Sequence, residues 1–521
     1  MLVLMAMAGV WVCGYANRFG ADLEPDSDVY ISAGVRLAHG QGVSFPNFLG
    51  APDPMLVFPP MFPLQISLME RMHINPQLGI GRTHALCDGL LILFTAGLAW
   101  RVSRSGMLAV LAGWLVLTNP GILFVHTFAM SEPPFLIWVM TGLWCLSRWW
   151  ITPRWRWIIV SGLCVAGAVM TRNAGAPLVP LGIAAVLLRG GVPLVRRVLG
   201  AVVFGTIAAG PLAFWSWIHQ THGGALAGRA VGWRGFTPHQ LHDGAETLGS
   251  FVFPLDVPGQ MAVVAAIVLV AFGCTVIALW TNGIGFREMR QRVKQLPVMV
   301  PLCLAFALAF TAFDIVAMET VGSGELDKRV LSVIVPPLVI VLAWWAGAMV
   351  QAMQQRAIRL TLGLGMVAVL GSYSWAAFQT VSQRSSEAAL DWSPWRQSDT
   401  LGAIKELPPD ALIYSNKPCC LFMACRRLNE GIPAPNDAGE PDDSEIQEMR
   451  EQLHDRGGWI VYWDAVDGGD EPHLDEAAIR KLFPIAQTQR FDDGVILRID
   501  PPEDAAANLG IQCKPWCNPN G

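Results

Sequence analysis

The chain has 521 residues, 53% hydrophobic and only 15% charged, with 21 tryptophans and a mean hydropathy of +0.41. A soluble protein of this length cannot bury so much apolar surface behind so few charges, which excludes a soluble multidomain enzyme, a disordered chain and a small disulfide scaffold. A net charge of −5, with no basic cluster beyond short loops, excludes nucleic-acid binding. What remains is a polytopic α-helical membrane protein.

Charge is unevenly divided along it. Residues 1–379 carry 23 Lys and Arg against 16 Asp and Glu, whereas residues 380–521 carry 13 against 25. That shift predicts a membrane domain over 1–379 and an acidic, water-facing domain over 380–521.

A bilayer is crossed by about 20 apolar residues in a helix. In chain order, spans are expected near 1–17, 82–100, 107–126, 133–147, 156–170, 174–188, 198–218, 261–281, 298–317, 330–350 and 360–378, about eleven in all. The first is short, and its flanks lack the basic start and small-residue cleavage site of a signal peptide, so it reads as a retained span.

Orientation follows from Lys and Arg in short loops. Alternate connections hold Arg101 and Arg104, then Arg148, Arg154 and Arg156, then Arg189, Arg196 and Arg197. Two more hold Arg287, Arg290, Arg292 and Lys294, then Arg356 and Arg359. These five loops are expected in the cytoplasm with the N-terminus. The loops 18–81 and 219–260 and the C-terminal domain then lie outside a plasma (inner) membrane. Six cysteines fall in or beside spans; the other five, Cys419, Cys420, Cys425, Cys513 and Cys517, fall where disulfides persist.

Ionisable residues gather at the expected outer ends of the spans. Arg82, His84 and Asp88 head the second span, while His126 and Glu132 flank the turn between the third and fourth. Arg172, Asp314, Glu319, Lys328 and Arg329 complete the set. Any one of them could simply snorkel to the interface. Together they are expected to line one cavity open to the outside.

The first external loop reads as a helix from Ser27 to His39, with Asp26 as its N-cap and Gly40 as its stop. Asp26, Tyr30, Ala33, Gly34 and Leu37 share one face, which places Asp26 at the head of a small, apolar surface. Two roles are open to Asp26: a cap, or a partly desolvated base. Asp28 lies roughly 200° away round the helix, so Asp26 and Asp28 make poor joint ligands for a divalent cation, and no metal or cofactor is expected. The prolines of Phe58-Pro59-Pro60 and Pro63 forbid a regular helix, and an amphipathic segment from Leu64 to Met72 is expected to lie in the membrane plane. Such a loop suits a substrate that resides in lipid.

Asp26-x-x-x-Tyr30, Ala33, Leu37, Gly40, Gly42 and Phe58-Pro59-Pro60 together resemble the first external loop of the GT-C superfamily of integral-membrane glycosyltransferases. Ser131-Glu132-Pro133, Thr171-Arg172, and Lys328-Arg329 ahead of Pro336-Pro337 extend the resemblance over about 1–380. The pattern is nearest to bacterial transferases akin to the lipid A aminoarabinose transferase and to protein O-mannosyltransferases. The resemblance implies a polyprenyl-phosphate-linked sugar donor, an acceptor on a glycan, lipid or protein, and inversion at the sugar carbon. By the same resemblance Asp26 is the catalytic carboxylate, and Arg329 with Lys328 holds the phosphate of the leaving lipid. Glu132 and Arg172 match frequent cavity residues, and Tyr30, Asp88 and Asp314 are counted with the substrate-binding set. Close relatives often carry a second acid where this chain has Ser27, so any second catalytic carboxylate is Asp28 or Glu132.

In the C-terminal domain, 408–416, 458–464 and 493–499 read as strands, and 443–456 and 474–482 as helices, which predicts a small extracytoplasmic α/β domain. It serves as a lid over the cavity or as a stabilising appendage. Two other functions compete. An O-antigen-type polymerase or ligase would use the His and Arg cluster His219, His222, Arg229, Arg234, His239 and His242. A secondary transporter would need internal repeats, which are not evident.

Overall fold

A computed structural model describes residues 1–23, 25–46, 52–54, 58–221, 232–233, 238–255, 257–281, 295–321, 326–352, 356–396, 398–408, 411–417, 421, 425, 430–433, 443–463 and 474–501. They belong to two compact units. One comprises Met1–Asp22, Ala33–Val43 and Met55–Ser385, and the other Leu23–Ser32, Ser44–Pro54 and Ser386–Gly521.

The first unit is helical. Its chain order begins with α1 (Leu2–Ala16), the C-terminal part of α2 (Pro25–Ala38), α3 (Met61–Arg71), α4 (Pro76–Ser103), α5 (Gly106–Leu117) and α6 (Pro120–Thr127). Next come α7 (Glu132–Ile151), α8 (Trp155–Thr171), α9 (Leu178–Leu187), α10 (Leu194–Thr221), α11 (Pro238–Ser250) and α12 (Gln260–Thr281). The series ends with α13 (Met299–Val321), the short α14 (Lys328–Leu331), α15 (Val335–Ala352) and α16 (Arg356–Arg396). All eleven expected spans fall on helices. Among the described residues, five helices are long and apolar enough to cross a membrane, or six if α5 and α6 are counted as one bent span. The protein is an integral membrane protein.

Several boundaries differ from the expectations, each for a local reason. Helix α2 starts at Pro25, so Asp26 lies inside the first turn and is not its N-cap. Proline's fixed φ suits the first helical position, and a carboxylate in the first turn suits the dipole. Helix α3 begins at Met61 and ends at Arg71, with Pro60 ahead of it. Helix α4 starts at Pro76, where the Asn75 side chain accepts from the Leu78 amide. It therefore begins six residues before Arg82, and Asp88 lies about 18 Å into it at 1.5 Å per residue. The span at 107–126 is broken at Thr118-Asn119, and its halves bend by 49°. Pro120 disfavours a helical Asn119, whose side chain instead caps α6 at Ile122 N, 3.0 Å away.

Close approach sets the packing. A Cβ on Gly89 of α4 would lie 2.5 Å from Val10 Cγ2 and 2.8 Å from the Ala6 carbonyl of α1. Small residues of this kind let backbones of membrane helices touch. One end of the α7–α10 group is bound by arginines over tryptophans. Arg148 and Arg156 both lie over Trp157 and Arg196 over Trp149, while Arg196 also donates to the Pro153 carbonyl at 2.6 Å. These are arginines of the basic loops, and Glu132 sits at the opposite end of α7.

The second unit contains the hairpin β1 (Ser44–Pro46) and β2 (Pro52–Pro54) and a mixed five-stranded sheet. Its strands are β3 (Ile413–Ser415), β4 (Glu430–Gly431), β5 (Gly458–Trp463), β6 (Gln487–Phe491) and β7 (Gly494–Ile499), ordered β4-β3-β5-β7-β6. Helices α17 (Asp399–Lys405), α18 (Asp443–Arg456) and α19 (Glu476–Leu482) accompany them. The period-2 alternation of strands divides the core between two faces. Ile460 and Tyr462 pack with Leu453 and Ile479 on one face, and Val461 and Trp463 with Leu401 and Ile404 on the other. The expected helices at 443–456 and 474–482 are present, and the strand β6 was not expected because its residues are largely exposed and polar.

Cys425 Sγ donates to the Leu421 carbonyl. Cys419, Cys420, Cys513 and Cys517 lie outside the described residues.

Candidate active site

Glu132 opens α7, and Pro133 directly after it fits the first turn of a helix. Its side chain is fully buried. Such a carboxylate needs cationic partners, because an unpaired buried charge is costly. Two are supplied from far along the chain. Arg172 Nη1 lies 2.6 Å from Glu132 Oε1, and Arg329 Nε donates to the same oxygen at 2.9 Å.

Backbone features aim both arginines. Arg172 terminates α8 in extended conformation, which turns it out of the helical path, and its Nη1 also donates to Ser131 Oγ at 3.2 Å. Arg329 belongs to the four-residue α14, which is capped by Asp327: the carboxylate accepts from Val330 N at 2.8 Å. Asp327 is also within electrostatic reach of Arg329, Glu132 and Arg172. Asp314 of α13 reaches Arg172 and Asp327 in the same way. The set alternates in sign, with one carboxylate oxygen bridging two guanidinium groups. A carboxylate oxygen held so anchors both guanidinium groups, whose charge and planar geometry suit recognition of an anion.

Two cavities flank these residues. The smaller, about 310 Å³, has Lys328 and Arg329 on one side and Asp243 and Thr247 of α11 on another, with Phe124 and Leu326 completing it. The larger, about 600 Å³, is mostly apolar and lies along α3, bounded by Phe62, Leu68, Leu90, Ile137 and Trp138, with Arg71 among its few polar residues.

Residues 55–188 match the dolichyl-phosphate-mannose-protein mannosyltransferase family. The whole chain is similar in structure to ArnT from Cupriavidus metallidurans in the apo state, with a TM-score of 0.56 and 15% identity over 96% of this chain and 97% of that one. The chain shares the fold of that protein. The same ArnT bound to undecaprenyl phosphate gives a TM-score of 0.52 at 14% identity, covering 96% of this chain and 98% of that one. No curated protein matches the chain in sequence.

Within this fold the expected site residues are distributed as follows. Glu132, Arg172 and Arg329 meet directly, and Asp314 is within reach of them. Lys328 is exposed and lines the smaller cavity. Asp26 is half-buried in the first turn of α2, Tyr30 is buried one turn later, and the side chain of Asp28 lies outside the described residues. Arg82 is exposed.

Asp88 is placed elsewhere. It is fully buried in the middle of α4, against Gly9 and Ile92, within reach of Cys13 and Cys87. Its neighbour one turn away, His84, stacks on Phe62 and meets the edge of His126 at 6.4 Å. His126 in turn holds the end of α1: its carbonyl accepts from Asn17 Nδ2 at 2.9 Å. Of the His and Arg cluster in 219–242, His242 is exposed and paired with Glu246 at 3.3 Å. His222, Arg229 and Arg234 and the side chains of His219 and His239 lie outside the described residues.

Three contributors were not singled out from sequence: Asp327, Asp243 and Thr247. Asp327 had a readable signal, an acid three residues before an apolar helical start, but Asp243 and Thr247 become relevant only once α11 is packed beside α14.

Proposed function

We propose that the protein transfers a glycosyl group from a polyprenyl-phosphate-linked donor to an acceptor hydroxyl of a lipid, glycan or protein on the outer face of the membrane. The observation that carries this reading is the Glu132 carboxylate shared by Arg172 and Arg329. It fixes two cations where a phosphate leaving group would need them, and preorganised donors stabilise charge that develops in the transition state. Lys328 adds a third cation nearby.

Asp26 supplies the base. It takes the proton of the acceptor hydroxyl as that oxygen attacks the anomeric carbon from the face opposite the phosphate. The bond between the sugar carbon and the phosphate oxygen breaks, the electron pair leaves with the polyprenyl phosphate, and the configuration inverts. Positioning with one base and paired cations suffices for so good a leaving group, so no metal or other cofactor enters the scheme. Eleven spans, a cytoplasmic N-terminus and an extracytoplasmic C-terminal unit are the topology we assign, from the basic loops.

The test is transfer by the purified protein in liposomes containing undecaprenyl phosphate loaded with radiolabelled sugar. Asp26→Asn is expected to reduce transfer about 100-fold or more with unchanged thermal stability. Full transfer by that variant would overturn the role of Asp26, and no donor consumption by the wild type would overturn the reaction.

A further inference from the structure

We propose that the arginine and tryptophan surface at the end of α7–α10 remote from Glu132 binds the headgroup of an anionic glycerophospholipid. This site is distinct from the transfer site.

No Asp or Glu occurs between Glu132 and Asp243. The arginines gathered here therefore find tryptophan rings and carbonyl oxygens in place of carboxylates. Arg148 and Arg156 lie 5.6 and 4.9 Å from the centre of the Trp157 ring, Arg189 5.9 Å from that of Trp150, and Arg196 6.0 Å from that of Trp149. Arg196 of α10 donates to the Pro153 carbonyl at 2.6 Å, which ties the α9–α10 connection to the α7–α8 connection. Arg197 donates to the Leu187 carbonyl at 2.8 Å, and Trp150 Nε1 to that of Ala185 at 2.9 Å. Contacts of this kind fix the guanidinium groups without neutralising them.

The arrangement leaves a demand for an acceptor. Nε of Arg189, Arg196 and Arg197 and Nε1 of Trp149 and Trp157 are withdrawn from water with no hydrogen-bond partner among the described residues. Every one of these is a donor, and a buried donor without an acceptor is costly. Arg156, Arg196 and Arg197 also occupy the first turns of α8 and α10, where the helix dipole already presents positive charge. Cations there are unfavourable unless an anion offsets them.

The surroundings favour a lipid over a soluble phosphate. Ile151, Leu188, Leu194 and Val195 are exposed beside the arginines in the chain, and tryptophans with arginines mark the boundary between membrane and water. Cations flanked by exposed apolar side chains suit a phosphate that carries acyl chains. A phospholipid held here would brace α7 and α8, whose opposite ends carry Glu132 and Arg172.

The test uses the full-length protein in nonionic detergent, titrated with diphosphatidylglycerol, phosphatidylcholine or inorganic phosphate. Retained lipid is counted by native mass spectrometry, and the thermal midpoint is followed alongside. Diphosphatidylglycerol is expected to stay bound and to raise the midpoint, whereas the other two do neither at the same concentration. Arg156 is exposed, so Arg156→Gln should keep the lipid-free midpoint while weakening diphosphatidylglycerol about fivefold, and adding Arg148→Gln should take the loss beyond about tenfold. Arg101→Gln, at the end of α4, should leave binding within about twofold. A loss as large from Arg101→Gln would mean diffuse attraction to basic loops and would overturn the site. Equal stabilisation by inorganic phosphate would overturn the lipid as its ligand. Undiminished binding by the double variant, or no retention of diphosphatidylglycerol by the wild type, would overturn the proposal outright.

Discussion

Arg172 approaches the fully buried Glu132 carboxylate at 2.6 Å, joining the end of one membrane helix to the start of its neighbour. Arg329 closes on the same oxygen from a segment 197 residues further along. Breaking a buried pair leaves a charge without its partner, which costs about 3–5 kcal/mol. Glu132→Ala is therefore expected to lower the thermal midpoint clearly. Glu132→Gln should keep most of the stability, because it removes the charge but retains an acceptor, and should raise the donor KM at least tenfold. Detergent-phase thermal unfolding together with donor titrations separates the two effects.

Arg329→Lys tests geometry against charge. A lysine keeps the cation but loses the planar fork that lets one side of the guanidinium face Glu132 while the other faces an anion. The expected result is a donor affinity at least tenfold lower, measured by binding of undecaprenyl phosphate. Equal affinity would mean that a point charge is enough.

Gly34 of α2 has no room for a side chain. A Cβ there would lie 2.6 Å from Ile66 Cβ and 2.9 Å from the Pro63 carbonyl of α3. Gly34→Ala should destabilise by about 1–3 kcal/mol despite alanine's better helix propensity. Because part of the clash is with a side chain, Ile66→Ala in the same background should recover some of it. The recovery is read as coupling in a double-mutant cycle of thermal midpoints.

Arg384 donates to Asp22 at 2.8 Å and lies over the Phe128 ring at 4.4 Å. Asp22 is also bridged to the loop through its backbone, accepting from Ala129 N and donating to the Thr127 carbonyl. Arg384→Ala should cost about 1 kcal/mol, since the ion pair is partly exposed and the ring contact adds a similar amount. Arg384→Lys should recover part of this. Hydrogen exchange at Asp22 and Ala129 should rise in the alanine variant.

Glu476 carries a pH dependence in the C-terminal unit. Partial burial pushes its carboxyl up, but hydrogen bonds and charge from Arg480 and Arg490 outweigh this and hold it below its ordinary 4.5. A carboxyl lowered in the folded state contributes stability above its unfolded pKa and loses it as pH falls through the folded value. The contribution is at most about 1 kcal/mol, because the pair is near solvent. Glu476→Gln should accelerate exchange of the β6 amides at pH 7, and the two proteins should converge well below pH 4.

Much of this was legible in the residues. The apolar segments and Gly40 as a helix stop follow from local composition and backbone rules, and each expected span lies on a helix, while the basic loop with Arg287, Arg290, Arg292 and Lys294 lies outside the described residues. Glu132, Arg172 and Arg329 were individually conspicuous as charges among apolar residues. Their meeting at a single oxygen was not legible, because no local rule relates positions 40 and 197 residues apart. Asp88 shows the reverse case. Counting from the edge of the apolar run places it at the end of the span, yet the Asn75 cap and Pro76 start the helix upstream and put the residue mid-helix.

The sequence by itself determined that this chain enters a membrane, where its helices lie and that an α/β unit follows, because hydropathy and helix signals act over a few neighbouring residues. Tertiary structure alone decided which charges share a partner and which helix faces Arg329 across a cavity. Those outcomes depend on helix packing set by close contacts such as Gly89 against Ala6 and Gly244 against Leu326, and such contacts join positions that local sequence leaves unrelated.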